Sequence, residues 1–136
     1  MKIRQDFVTN SSSTSYIISL RGEFTKENFF KALKVNEDNE FISFFDDLFK
    51  IVDRDRRYDD KDYCINDDCS NIDEIIDYSY SFKEYKDQII KCLQENRKCY
   101  VGSFDDQSTP LDYYLCYKPF VIINDDILFI SPDTNF

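Results

Sequence analysis

The apolar residues of this chain change their period along its length, and that change limits the folds open to it. In the middle, Phe41, Ile42, Phe44, Phe45, Leu48, Phe49, Ile51 and Val52 recur at helical spacing. Toward the ends, β-branched and aromatic runs stand between turn-forming residues: Ile3 to Val8, Tyr16 to Leu20, Cys99 to Val101, Tyr113 to Tyr117, Phe120 to Ile123 and Ile127 to Ile130. Strands at both ends around a helical middle predict an α+β fold. The expected architecture is a single small domain over residues 1–136, with a mainly antiparallel sheet from the N- and C-terminal strands packed against about three helices.

Local signals refine this outline. Gly22 closes the second strand, and Thr25 is placed to cap a short helix through Phe29, Phe30 and Leu33, with Glu27 near its positive end. The central helix follows Asn36 or Asp38, and its wide apolar stripe predicts that it is mostly buried. Ile72 to Tyr80 fits a short helix or a strand, with helix favoured. Ser81-Phe82-Lys83-Glu84 matches a capping box ahead of a helix reaching about Asn96. The last two strands form a hairpin around Asn124-Asp125-Asp126, and Pro110, Pro119 and Pro132 fall at strand ends. Asp53 to Ser70 offers almost nothing apolar, so an exposed acidic loop is expected around residues 53–71.

Charge narrows the function classes. The chain carries 17 Lys and Arg against 27 Asp and Glu, a formal net charge of -10 that repels phosphate backbones and anionic lipid. This argues against direct binding of nucleic acid or a membrane and for a protein partner with a basic surface, including one that normally holds nucleic acid. The opening residues contain no apolar targeting core, and no apolar run approaches about 18 residues, so a cytoplasmic location is expected. Five cysteines, an odd number, fit reduced thiols better than a disulfide framework.

Catalytic templates fail one after another. The chain has no histidine, which removes histidine-activated nucleophiles, and its two glycines cannot build a phosphate-cradling loop. Cys64-x4-Cys69 and Cys92-x6-Cys99 are too widely spaced for tight zinc knuckles. From Asn66, oxygen donors at Asp68, Ser70, Glu74 and Asp77 echo a calcium loop. Asn71 stands where that loop needs glycine, however, Asp73 at an apolar position, and Asp77 is shorter than the required glutamate. No spacing selects a carboxylate pair for glycosidase chemistry. No catalytic residue, cofactor or metal is expected. The candidate partner-binding residues are Asp53, Asp55, Asp59, Asp60, Asp62, Asp67, Asp68, Asp73 and Glu74, with Tyr58 and Tyr63 as aromatic anchors.

The stretch Lys2-Ile3-Arg4-Gln5-Asp6-Phe7-Val8-Thr9-Asn10-Ser11-Ser12-Ser13-Thr14-Ser15-Tyr16-Ile17-Ile18 resembles the opening of a loose family of small bacterial and mobile-element proteins of unknown function. These begin with a "KIRxDFVTNSSSSSFI" signature, from which Thr14 and Tyr16 depart mildly. Val121 to Ile127 is similar to a closing hairpin of some such proteins, with Asp125 in place of a glycine. The resemblance implies a bacterial or phage origin and no catalytic residues. Physically, Asn10, Ser11, Ser12 and Ser13 suit a tight turn whose side chains satisfy backbone groups.

These readings converge on a non-catalytic acidic binding protein. The sharper expectation is a phage or mobile-element inhibitor that occupies a nucleic-acid-holding groove of a bacterial defence effector, as anti-CRISPR proteins do. The alternative is a protein–protein binding or assembly module whose acidity serves solubility.

Overall fold

The computed structural model describes residues 13–65, 72–73, 76, 80–95 and 97–132, with the backbone alone at 55–65 and 80. A strand β1 (Ser13–Leu20) leads into helices α1 (Lys26–Leu33) and α2 (Ile42–Tyr63), and a two-residue strand β2 (Cys64–Ile65) follows. A 3₁₀ turn (Tyr80–Tyr85) runs into α3 (Lys86–Gln94), then β3 (Cys99–Asp105), α4 (Pro110–Cys116), β4 (Phe120–Ile123) and β5 (Ile127–Ser131). The strands form one five-stranded sheet in the order β2-β3-β1-β5-β4, every neighbouring pair antiparallel. The α+β expectation of a mainly antiparallel sheet packed against helices holds.

β1 lies at the centre, with Ile17 opposite both Val101 of β3 and Ile130 of β5. Its side chains alternate between two apolar layers, and both are covered. Tyr16, Ile18 and Leu20 pack with Phe104, Phe129, Phe29 of α1 and Leu48, Ile51 and Val52 of α2. Ile17 packs on the opposite side with Val101, Leu128 and Ile130, beneath Phe82, Ile89 and Leu93 of the 3₁₀ turn and α3. A strand buried on both faces needs a continuous apolar run rather than alternation, which is what Tyr16-Ile17-Ile18 supplies. Ile72 and Ile76 join the second layer, and residues 72, 73 and 76 are helical, in line with the helix favoured for that segment.

Hydrogen bonds fix the corners. The Thr25 hydroxyl accepts from the Asn28 N–H at 3.1 Å, so the cap read from the sequence is in place, and Gly22 turns the chain with φ of 89°. The Asn124 side-chain Oδ1 accepts the N–H groups of Asp126 and Ile127, while its Nδ2 donates to the Ala32 carbonyl of α1 at 3.0 Å. One asparagine thus closes the β4–β5 hairpin and ties it to a helix. Arg97, only 7% exposed, donates to the Ser19 carbonyl at 2.9 Å, and Glu95 bridges it to Arg21.

Several expectations need correction. Ser13, expected in a tight turn, instead pairs with β3, as do Thr14 and Ser15. The first expected strand, Ile3 to Val8, lies outside the described residues. The acidic loop is not a loop over its first half: Asp53 to Tyr63 continues α2, and Cys64–Ile65 is a strand. The sequence there contains no glycine or proline, and its Arg and Lys residues are good helix formers, so charge marks exposure rather than loop. The start of α2 is also less buried than its stripe implied, with Phe41 at 61% and Phe44 at 39% exposure. Ser81 to Glu84 lies within the 3₁₀ turn, and α3 begins after Tyr85 with no side-chain cap bond. Tyr113 to Tyr117, read as a strand, forms most of α4 and the residue after it.

Gly102 sits opposite Tyr16 in the β1–β3 ladder, where a Cβ would lie 2.9 Å from the Tyr16 Cε2. The ring has no room to yield, because it stacks on Phe104 at 4.6 Å between centroids and meets Phe129 edge-on at 5.7 Å. Gly102→Ala is therefore expected to destabilise the fold by about 1–3 kcal/mol by overpacking, and Gly102→Ala combined with Tyr16→Leu to recover part of that loss. Urea midpoints of the two variants against the native chain check this.

Candidate protein-binding surface

α4 is short and depends on its neighbours. Thr109 caps it, its hydroxyl accepting the Asp112 N–H at 3.1 Å and donating to Asp112 Oδ2 at 2.8 Å, with Pro110 in the first turn. Arg54 of α2 grips both oxygens of the same carboxylate at 3.3 and 3.4 Å. Asp112 is fully buried and Arg54 is 32% exposed, so the pair pins the start of α4 to α2. At the other end the Thr14 hydroxyl donates to the Cys116 carbonyl at 2.8 Å. Before α4, Asp105 organises the turn. Burial opposes ionisation of its carboxyl, but the N–H groups of Gln107 and Ser108 and the Ser108 hydroxyl outweigh it and hold the carboxyl below its ordinary range.

With Asp112, Leu115 and Cys116 turned inward, helical spacing leaves Tyr113, Tyr114 and Tyr117 outside, at 56%, 52% and 40% exposure. The Tyr113 and Tyr117 rings lie 5.2 Å apart, and the Tyr117 hydroxyl donates to Asp106 Oδ2 at 3.1 Å. A groove of about 670 Å³ runs between Phe44, Asp47, Lys50, Ile51 and Arg54 of α2 and the start of α4 at Thr109, Pro110 and Leu111. Phe41 and Phe44 stand exposed at the start of α2, where the Asn39 side chain receives the Phe41 N–H at 2.8 Å. Residues 35–49 and 105–117, which supply most of these side chains, contain eight acidic residues and no lysine or arginine. Opposite charge reaches Asp46 from outside these stretches, through Lys26 and Lys50, and holds its carboxyl below the ordinary range.

The residues expected to bind a partner are placed differently. Asp53 is half-buried on α2. Asp55, Tyr58, Asp59, Asp60, Asp62 and Tyr63 follow it along the helical backbone, and Asp73 is exposed on the later helical segment. Asp67, Asp68 and Glu74, with Asn10, Ser11 and Ser12, lie outside the described residues, and Ser13 is the exposed first residue of β1. Asp53 to Tyr63 carries five acids against four bases, so this part of the candidate set is close to neutral. The aromatic surface of α4 was missed because Tyr113 to Tyr117 has strand-forming residues. Thr109-Pro110-Leu111-Asp112, a capping residue with proline next and an acid in the first turn, is the signal that identifies it as a helix start.

Among the described residues there is no group of three or more potential metal ligands, and no helix is long and apolar enough to cross a membrane. Cys92, Cys99 and Cys116 are buried, and burial pushes the thiols of Cys92 and Cys116 up. No protein family, curated protein or solved structure matches the chain.

The Arg54–Asp112 pair is asymmetric, and its variants should show it. Arg54→Met strands a buried carboxylate and is expected to cost about 3 kcal/mol. Asp112→Asn keeps an oxygen for the Thr109 hydroxyl and leaves Arg54 able to reach water, so about 1–2 kcal/mol is expected. Chemical denaturation of both variants orders them. Alkylation by iodoacetamide under native conditions should spare Cys92, Cys99 and Cys116, and denaturant should expose all three, as peptide mass mapping would show.

Proposed function

We propose that this is a non-catalytic binding protein that engages a basic protein partner through the acidic aromatic surface of α2 and α4. The observation that carries the reading is the coincidence of five exposed aromatic rings, Phe41, Phe44, Tyr113, Tyr114 and Tyr117, with two stretches that contain no positive charge. Exposed aromatics supply contact area at low entropic cost, and their π faces accept Arg and Lys. Surrounding carboxylates steer a cationic face into place. In its sharper form the partner's basic face is one that holds nucleic acid, and the protein is a phage or mobile-element inhibitor of a bacterial defence effector, acting in the cytoplasm in the manner of anti-CRISPR proteins. The net charge of -10 and the resemblance of the opening residues support that form. A second reading, an assembly module kept soluble by its acidity, is favoured by the outer edge of β4, which no other described strand pairs with.

The test is calorimetric titration of an effector captured from bacterial lysate and then purified. Phe44→Ala and Tyr114→Ala should each weaken binding by about tenfold or more without moving the melting curve, and affinity should fall as salt rises. Converting Asp59, Asp60, Asp62, Asp67 and Asp68 to asparagine should have a smaller effect than either aromatic change. Binding indifferent to salt and to both aromatic positions would overturn the proposal, and binding lost only with the asparagine changes would move the site to residues 59–68.

A further inference from the structure

Among the described residues, β4 ends the sheet with nothing paired on its outer side, and the opposite edge strand is only Cys64–Ile65. Open edges are ordinarily blunted by charge, proline within the strand or a bulge. Beyond its four-residue length, Phe120-Val121-Ile122-Ile123 has no such device, and its register with β5 is unbroken from Phe120↔Ser131 to Ile123↔Leu128. The Asn124 N–H donates to the Ile127 carbonyl at 2.9 Å, so alternation along the strand directs the backbone groups of Phe120 and Ile122 toward β5. Those of Val121 and Ile123 point outward. Their side chains are exposed too, at 44% and 42%, whereas Phe120 and Ile122 pack into the first apolar layer.

We propose that a second copy of this chain adds to β4 in antiparallel fashion, continuing the sheet across a two-fold axis at Ile122. Pairing Val121 with Ile123 of the second copy, twice by symmetry, satisfies all four outward backbone groups of each strand. It also gathers four exposed apolar side chains on one face. Charge at the strand ends selects the direction. Lys118 precedes β4 and Asp125 and Asp126 follow it, Asp126 already 3.7 Å from Arg21, so antiparallel pairing sets the lysine of one copy beside the acidic end, with Asp125, of the other. Parallel pairing would set like charges together. A four-residue strand buries less than the ~1,200 Å² of a standard interface, so the contact forms and dissociates readily. It uses none of the aromatic residues of α2 and α4, so it fails or stands independently of the acidic aromatic surface proposed above.

Sedimentation of the full chain over rising micromolar concentrations, with amide hydrogen exchange on the same samples, tests this. The expected result is a shift from 16.3 kDa toward twice that mass, with the Val121 and Ile123 amides becoming protected as the dimer forms. Val121→Lys, at an exposed position, should abolish the shift with an unchanged melting curve. Lys118→Asp should weaken association, and Lys118→Asp with Asp125→Lys should restore it. Three outcomes overturn the proposal: a monomer whose edge amides exchange freely, a monomer whose edge amides are protected by its own chain, or a dimer that survives Val121→Lys.

Discussion

Everything in this fold follows from burying β1 on both sides. From Tyr16 to Leu20 every residue is buried, so helices must cover the sheet on each face. The first face is closed by α1, α2 and α4, the second by the 3₁₀ turn and α3. Two polar groups on the buried strand are answered locally: the Thr14 hydroxyl by the Cys116 carbonyl, and the Ser19 carbonyl by Arg97. The close approach of Tyr16 to Gly102 follows from the same constraint, since the Tyr16 ring, stacked on Phe104, lies over the position a Cβ at residue 102 would occupy.

That arrangement determines what is left for function. α4 has seven residues and could not persist alone, so its position rests on the cap at Thr109, the ion pair to Arg54 and the bond from Thr14. Holding one face of so short a helix against the core necessarily presents the other, and the presented residues are tyrosines. The carboxylate at Asp112 therefore acts in assembly and not in recognition. Its charge is spent inside the protein, while Asp105 and Asp106 remain near the surface beside the rings.

What the sequence revealed tracks how local each signal is. The Thr25 cap, the hairpin at Asn124 and the strand from Tyr16 to Leu20 are set by adjacent residues, and all three stand in the structure. Tyr113 to Tyr117 misled because aromatic residues favour strands intrinsically, whereas the buried contacts of Leu115 and Cys116 and the Arg54–Asp112 pair come from distant parts of the chain. Asp53 to Tyr63 misled in the opposite way. Its lack of apolar residues fits a solvated helix as well as a loop, and the absence of breakers was the better guide. The candidate binding surface was illegible for a further reason: it joins the start of α2 to α4, two elements some sixty residues apart that only the tertiary fold, with the Arg54–Asp112 pair, brings together.

The charge of the chain acquires a different meaning once placed on this framework. Asp53 to Tyr63, where acidity first draws the eye, nearly balances itself, while residues 35–49 and 105–117 hold acids without a single base. A mixed helix interacts weakly with a charged partner because attraction and repulsion alternate along it. Beside the exposed rings acids outnumber bases, Lys50 and Arg54 being engaged with Asp46 and Asp112, and this favours one sign of potential over a patch that can also exclude water. The same long-range field repels a second copy, so any self-association has to proceed through a region where charge is absent or complementary. β4, uncharged along its length and oppositely charged at its two ends, meets that requirement, and the acidic aromatic surface does not.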